Sequence, residues 1–375
     1  MADSASGAIT VGIAGGGLIG RLMAWQLLRR GHQVTVFDRG PASGEHSAAF
    51  VAAAMLAPYS EAVTSGAEMF ELGKRSAQLW PSLLAELRED SELPVALQTH
   101  GSLVIAHDLD SGSFTHFDQK LHAVVGDDVQ VQSLNREGIQ RLEPELPASF
   151  RRGVWLSGEG SLDNRALLAA LYESIVARGG HWRAHCEVLK VSSGAVQLTD
   201  ASEHFDWVID CRGTGAKIDW PEVRGVRGEI LWVKAPAVQL TRPIRLMHPR
   251  YNLYITPKPN KVFVVGATEI ESESQAPVTV RSELELLSAL YSVHSGFAEA
   301  HIVGSYARCR PALPDNLPAI RASKGMLRIN GLYRHGYLLA PAVLAAALDA
   351  MDGRFQHDFV TVVEQDDSDQ REQRA

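Results

Sequence analysis

Near the start of the chain a strand-like run ends in a glycine cluster, and this junction restricts the fold more than any other feature. Ile9, Val11 and Ile13 lead into Gly15-Gly16-Gly17-Leu18-Ile19-Gly20, after which Ile19, Leu22, Met23 and Leu27 fall on one helical face and Gly31 stops the helix. Gln33 to Phe37 reads as the next strand, and Asp38 closes it 18 residues beyond Gly20. Strand, glycine turn, helix and strand predict a βαβ unit, hence a parallel sheet whose ligand lies beyond the carboxyl ends of its strands. In the spacing G-x-G-x-x-G, Gly15 permits the tight turn, Gly17 lets backbone approach a pyrophosphate, and Gly20 lets the helix pack closely on the strand. The helix N-terminus adds unpaired N–H groups and partial positive charge, and Asp38 is placed to accept hydrogen bonds from a ribose. A dinucleotide is the expected ligand, and the motif alone does not separate FAD from NAD.

With 375 residues, 45% apolar and 21% charged, the chain exceeds the length at which single cores usually split, so two domains are expected. The net charge of −8 would repel a phosphate backbone, and no nucleic-acid partner is expected. Ile9 to Ala14 is too short for a signal-peptide core, and Leu338 to Met351, broken by Pro341, falls below the roughly 18 to 20 residues of a membrane span. A soluble, cytoplasmic protein without a membrane span is expected. The three cysteines, Cys186, Cys211 and Cys309, are odd in number and lack ligand spacing, so neither a disulfide framework nor a metal site is expected. Glu364 to Ala375 cannot bury apolar area and reads as a disordered tail.

From about 90 to 150 the chain is polar, with strand-like Ser102 to Ala106 and prolines at Pro144 and Pro147, as expected of an inserted piece of a second domain. A helix is predicted over Asn164 to Ala177, followed by strands at Glu187 to Val191 and Asp206 to Asp210. Glu229 to Gly266 is rich in β-branched and aromatic residues, with turns at Pro236, Pro249 and Pro257 to Asn260, which predicts an antiparallel sheet. The last part holds a glycine turn, Gly331 to Gly336, and a long apolar helix. The fold class is α/β, a Rossmann-type domain with a second, antiparallel-sheet domain.

A succession of motifs spans nearly the whole chain: Ala52-Ala53-Ala54-Met55-Leu56-Ala57-Pro58 with Ser60-Glu61; Gly160-Ser161-Leu162-Asp163; Asp206-Trp207-Val208-Ile209-Asp210-Cys211-Arg212-Gly213; Arg227-Gly228-Glu229; Tyr254-Ile255-Thr256-Pro257; Val265-Gly266-Ala267-Thr268; Arg310-Pro311 with Pro314-Asp315; and Gly331-Leu332-Tyr333-Arg334-His335-Gly336 running into Leu338-Leu339-Ala340-Pro341. In this order they resemble the glycine oxidase branch of the D-amino-acid-oxidase (DAO) family of FAD-dependent oxidoreductases. The resemblance implies noncovalent FAD in a discontinuous FAD-binding domain (8–88, 150–219 and 306–362), a substrate domain (89–149 and 220–305) and a tail (363–375). At the cofactor it implies Gly15, Gly17, Leu18, Ile19, Gly20, Asp38, Arg39, Ser47, Ala53, Ala54, Met55, Val188 and Gly213. Leu332, Tyr333, Arg334, His335, Gly336, Tyr337 and Leu338 would close around the flavin pyrimidine end, where N–H groups opening the last helix can stabilise negative charge.

For the substrate the resemblance implies Arg310 at the carboxylate, where a planar guanidinium can make two parallel charge-assisted bonds. Tyr254 would add a hydroxyl there, Arg334 would lie near the amine through its backbone, and Met55 and Asn252 would complete the wall. The implied reaction oxidises the C–N bond of glycine, sarcosine or a small D-amino acid to an imine that hydrolyses to an oxo acid, with hydrogen peroxide if oxygen is the acceptor. Hydride goes to flavin N5, so no catalytic side chain is named, and the 14 histidines, His248 and His335 among them, read as polar fillers. Partners are then a small amine, oxygen or another acceptor, with a homo-oligomer as an option.

The chain also departs from the family. Ala48, Ala49, Phe50 and Val51 stand where hydroxyl residues are usual, with Ser47 the nearest hydroxyl; Ala54 replaces a glycine; Leu332 and His335 replace His and Asn. Some related sarcosine oxidases attach flavin through a cysteine at the position of Arg308; Cys309 is one residue off and on the opposite face of a strand. Competing readings are a larger N-substituted glycine or other secondary amine as substrate, an NAD-dependent dehydrogenase, and a flavoprotein that acts on a macromolecule.

Overall fold

The computed structural model describes residues 7–248 and 252–363. The tail from Glu364, the turn at Pro249 and the side chain of Asn252 lie outside the described residues. Thr10–Ala14 pairs in parallel with Gln33–Phe37 on one side and, on the other, with Trp207–Asp210, the central strand of a seven-stranded sheet. Met326–Asn330, Ala319–Ser323 and Val360–Val362 extend it beyond Trp207–Asp210, and His181–Arg183 extends it beyond Gln33–Phe37. Only the Ala319–Ser323 pairing with Met326–Asn330 is antiparallel.

The helix that follows the glycine turn runs from Leu18 to Arg29. Its predicted apolar face is in place: Leu22, Met23 and Leu27 join one core with Leu168 and Leu171 of the helix Asn164–Ala177 and with Leu339 and Val343 of the helix Gly336–Met351. Fully burying each such side chain stabilises the fold by about 1.5–3 kcal/mol. The helix Asn164–Ala177 has its predicted bounds and is capped by Asp163, whose side chain accepts from Ala166 N at 3.1 Å.

A second sheet has eight strands, in the order His301–Ala312, Arg224–Lys234, Val262–Gly266, Asn252–Lys258, Ile244–Met247, Ser102–Ala106, Arg152–Leu156 and Val131–Asn135. It is antiparallel except between Ile244–Met247 and Ser102–Ala106. Arg152–Leu156 and His301–Ala312 therefore lie in this sheet, across the boundaries expected at 149 and 305. The polar stretch also holds two helices that sequence reading did not assign, Ser111–Val125 and Arg136–Leu142. Their signals were Phe114, Phe117 and Leu121 at helical spacing, all buried, and the cap at Asn135, which accepts from Gly138 N.

The strand expected at Glu187 to Val191 is instead Lys190–Ser192, part of a three-stranded antiparallel sheet with Ala195–Gln197 and Ser202–His204. The residues before it have another task. His185 N donates to Gly40 O and Cys186 N to Asp38 O, so the chain runs past the end of the second strand. Among the described residues no helix is long and apolar enough to cross a membrane, and no cluster of His, Cys, Asp or Glu could hold a metal ion.

Candidate active site

Beyond the carboxyl ends of the parallel strands, and walled on the other side by the eight-stranded sheet, lies a cavity of about 760 Å3. This falls within the roughly 300–1,000 Å3 of ligand clefts. Every cofactor position named from sequence lines it except Gly20, and so do the named substrate positions Arg310, Tyr254, Arg334 and Met55.

The three glycines differ in environment. Gly15 has φ +102°, and a Cβ there would stand 2.5 Å from Cys211 O. A Cβ on Gly20 would come within 1.9 Å of Gly15 O, so Gly20 serves the packing of helix on strand from behind the cavity. Around a Cβ on Gly17 no protein atom lies within 4 Å. The Asp38 carboxylate accepts from Gly16 N at 2.6 Å and from Gly40 N at 2.7 Å, and its remaining lone pairs can still accept from a ribose. Arg39 is exposed at the rim.

Sequence reading missed Arg21, a charged residue within the first helix. It is wholly buried and donates to Gly16 O at 2.8 Å, Leu168 O at 2.9 Å and Ala42 O at 2.6 Å, with its guanidinium 4.5 Å from the centre of the Trp182 ring. Burial draws its pKa down to about 10. Arg21 thereby ties the glycine turn to the loop that follows Asp38.

Ser47 caps the short helix Ala48–Val51, accepting from Phe50 N at 3.2 Å and donating to Gly44 O at 2.7 Å. The Ala52 to Ala57 run is no helix: Met55–Leu56 pairs with Gly160–Leu162 as a short antiparallel strand. Ala54 adopts φ +52°, a left-handed conformation that favours glycine. Lys258 holds the loop from below, donating to Ala53 O at 2.6 Å and to Leu162 O. Because left-handed backbone costs a non-glycine residue roughly 1–2 kcal/mol and glycine's extra unfolded-state freedom returns part of that, Ala54→Gly should stabilise the chain by up to about 1 kcal/mol. Thermal denaturation should show a small rise in Tm, and a fall would mean that the methyl group's packing outweighs the backbone strain.

At the other end, Arg310 lies across from Val226, with its guanidinium over Gly228, where a Cβ would come within 2.5 Å of it. Nη1 donates to Thr268 O at 3.1 Å, and among the described residues no carboxylate pairs with it. Tyr254 lines the same end, packs beside Met55, and has its pKa raised by burial. Arg334, named for its backbone, also uses its side chain: Nε lies 2.7 Å from Glu61 Oε2, Nη1 2.9 Å from Glu269 Oε2, and Nη2 donates to Thr64 Oγ1. Arg245, directly opposite Tyr254 in the sheet, donates to Glu61 Oε1 at 3.1 Å. Of three guanidiniums facing two carboxylates, only that of Arg310 is left without an ion pair. Sequence reading quoted Glu61 without a role and missed Arg245, whose partner is fixed by strand register.

Leu332, Tyr333, Gly336, Tyr337 and Leu338 close the cavity where the helix Gly336–Met351 begins. No side chain caps that helix, whose N-terminus follows directly on the turn Tyr333–His335. Tyr337 is held in place by its hydroxyl, which donates to Ala49 O at 3.0 Å, and by its carbonyl, which accepts from Trp80 Nε1 at 2.8 Å. Gly213 O accepts from Asn330 Nδ2, and Val188 O from Arg212. Cys309 turns its sulfur away from the side occupied by Arg310, toward Gln275 Nε2 at 3.1 Å and the carbonyls of Ser272 and Ser274. Burial raises its pKa, which disfavours the reactive thiolate.

His335 is buried beside this cluster, its Nδ1 3.7 Å from Glu61 Oε2 and its Nε2 3.2 Å from Ser65 Oγ. Burial draws its pKa down to about 4, so the imidazole is neutral at neutral pH. Glu61 is pushed up by burial but held at about 2 by Arg334 and Arg245. Both groups bind fewer protons folded than unfolded, His335 between pH 6.5 and 4 and Glu61 between 4.5 and 2, so their contribution to stability is lost as pH falls through those windows. In melts across pH 4–7, the difference between wild type and His335→Gln should therefore vary with pH. A constant difference would place the titration elsewhere.

The family profile DAO, described as FAD dependent oxidoreductase, matches residues 10–348. The chain is 37% identical over 332 residues to the putative thiamine biosynthesis oxidoreductase ThiO of Rhizobium etli, covering 88% of this chain and 93% of that protein. It is 28% identical to the glycine oxidase of Geobacillus kaustophilus over 88% of this chain and 89% of that one. The crystal structure of glycine oxidase from Geobacillus kaustophilus superimposes with a TM-score of 0.82 at 25% identity, over 94% of this chain and 96% of that one.

Proposed function

The chain belongs to the DAO family of FAD-dependent oxidoreductases, and from that membership we propose that it oxidises the C–N bond of glycine, sarcosine or a small D-amino acid. The observation that carries this reading is the unpaired guanidinium of Arg310, set beside Tyr254 at the closed end of the cavity. A monocarboxylate would neutralise it, whereas a substrate without an acid group would leave a half-buried charge unmatched. FAD, when bound, supplies the hydride acceptor. The cavity fits that cofactor: Gly17 leaves room for close backbone approach, Asp38 retains lone pairs for a ribose, and the uncapped N–H groups at Gly336 suit an electron-rich ring edge.

The side chains then divide the work. Arg310 and Tyr254 orient the carboxylate, Met55 packs the wall, and the Glu61 network fixes Arg334 so that its backbone borders the amine. A neutral amine needs no side-chain base, and the imine hydrolyses in water to an oxo acid, with hydrogen peroxide formed if oxygen takes the electrons. Anaerobic mixing of the holoenzyme with a panel of amines tests the proposal. Glycine, sarcosine or a small D-amino acid should bleach the flavin, and peroxide should appear in air. Bleaching only by amines that lack a carboxylate would overturn it.

A further inference from the structure

We propose that Arg308 is a cofactor-binding residue that places a permanent positive charge beside bound FAD and favours its reduced state. The inference rests on FAD occupying this cavity and not on the choice of amine. In the strand His301–Ala312 side chains alternate, so Arg308 shares a face with Arg310 while Cys309 points the other way. Both arginines line the cavity. Two residues of strand separate them by about 7 Å, so Arg308 stands within roughly the length of a three-ring system from the carboxylate anchor.

Its own contacts leave it incomplete. Nη2 donates to Glu45 O at 3.0 Å and Nη1 to Ala307 O at 2.8 Å, both neutral acceptors. Among the described residues no carboxylate pairs with it, and its Nε is buried without a hydrogen-bond partner. The guanidinium charge is met only by neutral carbonyls, so an anionic group that enters the cavity Arg308 lines would match it. The same wall offers few other donors. The Ser47 hydroxyl is engaged with Gly44 O and Phe50 N, and Ala48, Ala49, Phe50 and Val51 follow it. The two electrons and one proton taken from a substrate leave one additional negative charge in the cavity. A neighbouring guanidinium in a low dielectric stabilises that charge more than the oxidised state.

The test compares wild type, Arg308→Leu, Arg308→Gln and Arg308→Lys, read by FAD titration of the apoprotein and by the two-electron midpoint potential of the holoenzyme. Arg308→Leu should bind oxidised FAD about tenfold more weakly, as expected for one charge-assisted bond. It should bind reduced FAD a further tenfold more weakly, which lowers the midpoint by about 30 mV. Arg308→Gln keeps a donor without the charge and should lower the potential similarly with a smaller loss of affinity, which also covers the case in which the leucine variant fails to fold. Arg308→Lys should keep the potential. Unchanged affinity and potential in the leucine and glutamine variants would overturn the assignment, and so would an affinity loss at constant potential.

Discussion

Replacing Arg310 by lysine should lower turnover of carboxylate-bearing amines about a hundredfold while leaving FAD bound and its spectrum almost unchanged, because misplacing a substrate by about 1 Å costs that much. Lysine keeps the charge but cannot present two parallel donors, so the carboxylate would be held less rigidly and the α-carbon would drift from the flavin. Arg310→Ala should do worse, since the pocket would have to accept an anion without the guanidinium that stands beside Tyr254 with no carboxylate partner among the described residues. Gly228→Ala offers a control that leaves the arginine in place: its methyl group would meet the guanidinium at about 2.5 Å, and the flexible end of Arg310 must move aside. It should fold normally and reproduce part of the lysine defect. Steady-state kinetics, with acetate as a competitive inhibitor that weakens in parallel, decide the matter. Wild-type kcat/KM in all three variants would remove Arg310 from the substrate site.

The other large effect is expected at Gly17. This residue has φ −72° and ψ −167°, a conformation open to any side chain, and no protein atom lies within 4 Å of its Cβ position. Gly17→Val should therefore leave the apoprotein's Tm within a few degrees, less a small loss for a poorer helix cap, yet weaken FAD binding by about a hundredfold or more, because the branched side chain takes the space needed for close backbone approach to a pyrophosphate. Gly20→Ala should behave in the opposite way. Its methyl group would strike Gly15 O, a backbone atom that cannot swing aside, so the turn itself should be destabilised by about 1–3 kcal/mol or more. Melting curves of apoprotein and FAD titrations separate the two effects. A Gly17→Val protein that binds FAD like wild type would place the pyrophosphate away from this turn.

Much of the protein was legible from local pattern. The apolar positions at helical spacing after Gly20 and the closing Asp38 predicted a parallel βαβ start, and the helix Asn164–Ala177 appears with its predicted bounds. These features depend on residues a few positions apart, whose spacing alone decides which face of an element they share. The ordered motifs likewise located Arg310 and Tyr254, and they line one cavity. Other features depended on residues far apart in the chain. Arg245 meets Glu61 across 184 positions, and Lys258 reaches Ala53 O across 205, each because register and chain crossing bring them together. Arg21 was readable as a charge in a helix but not as the clamp on three carbonyls, since two of those belong to separate segments. Sequence periodicity determined which way side chains point; only the tertiary structure decided what they meet, because a partner is chosen by packing and by the pairing of unsatisfied charges and carbonyls, neither of which has a fixed spacing along the chain.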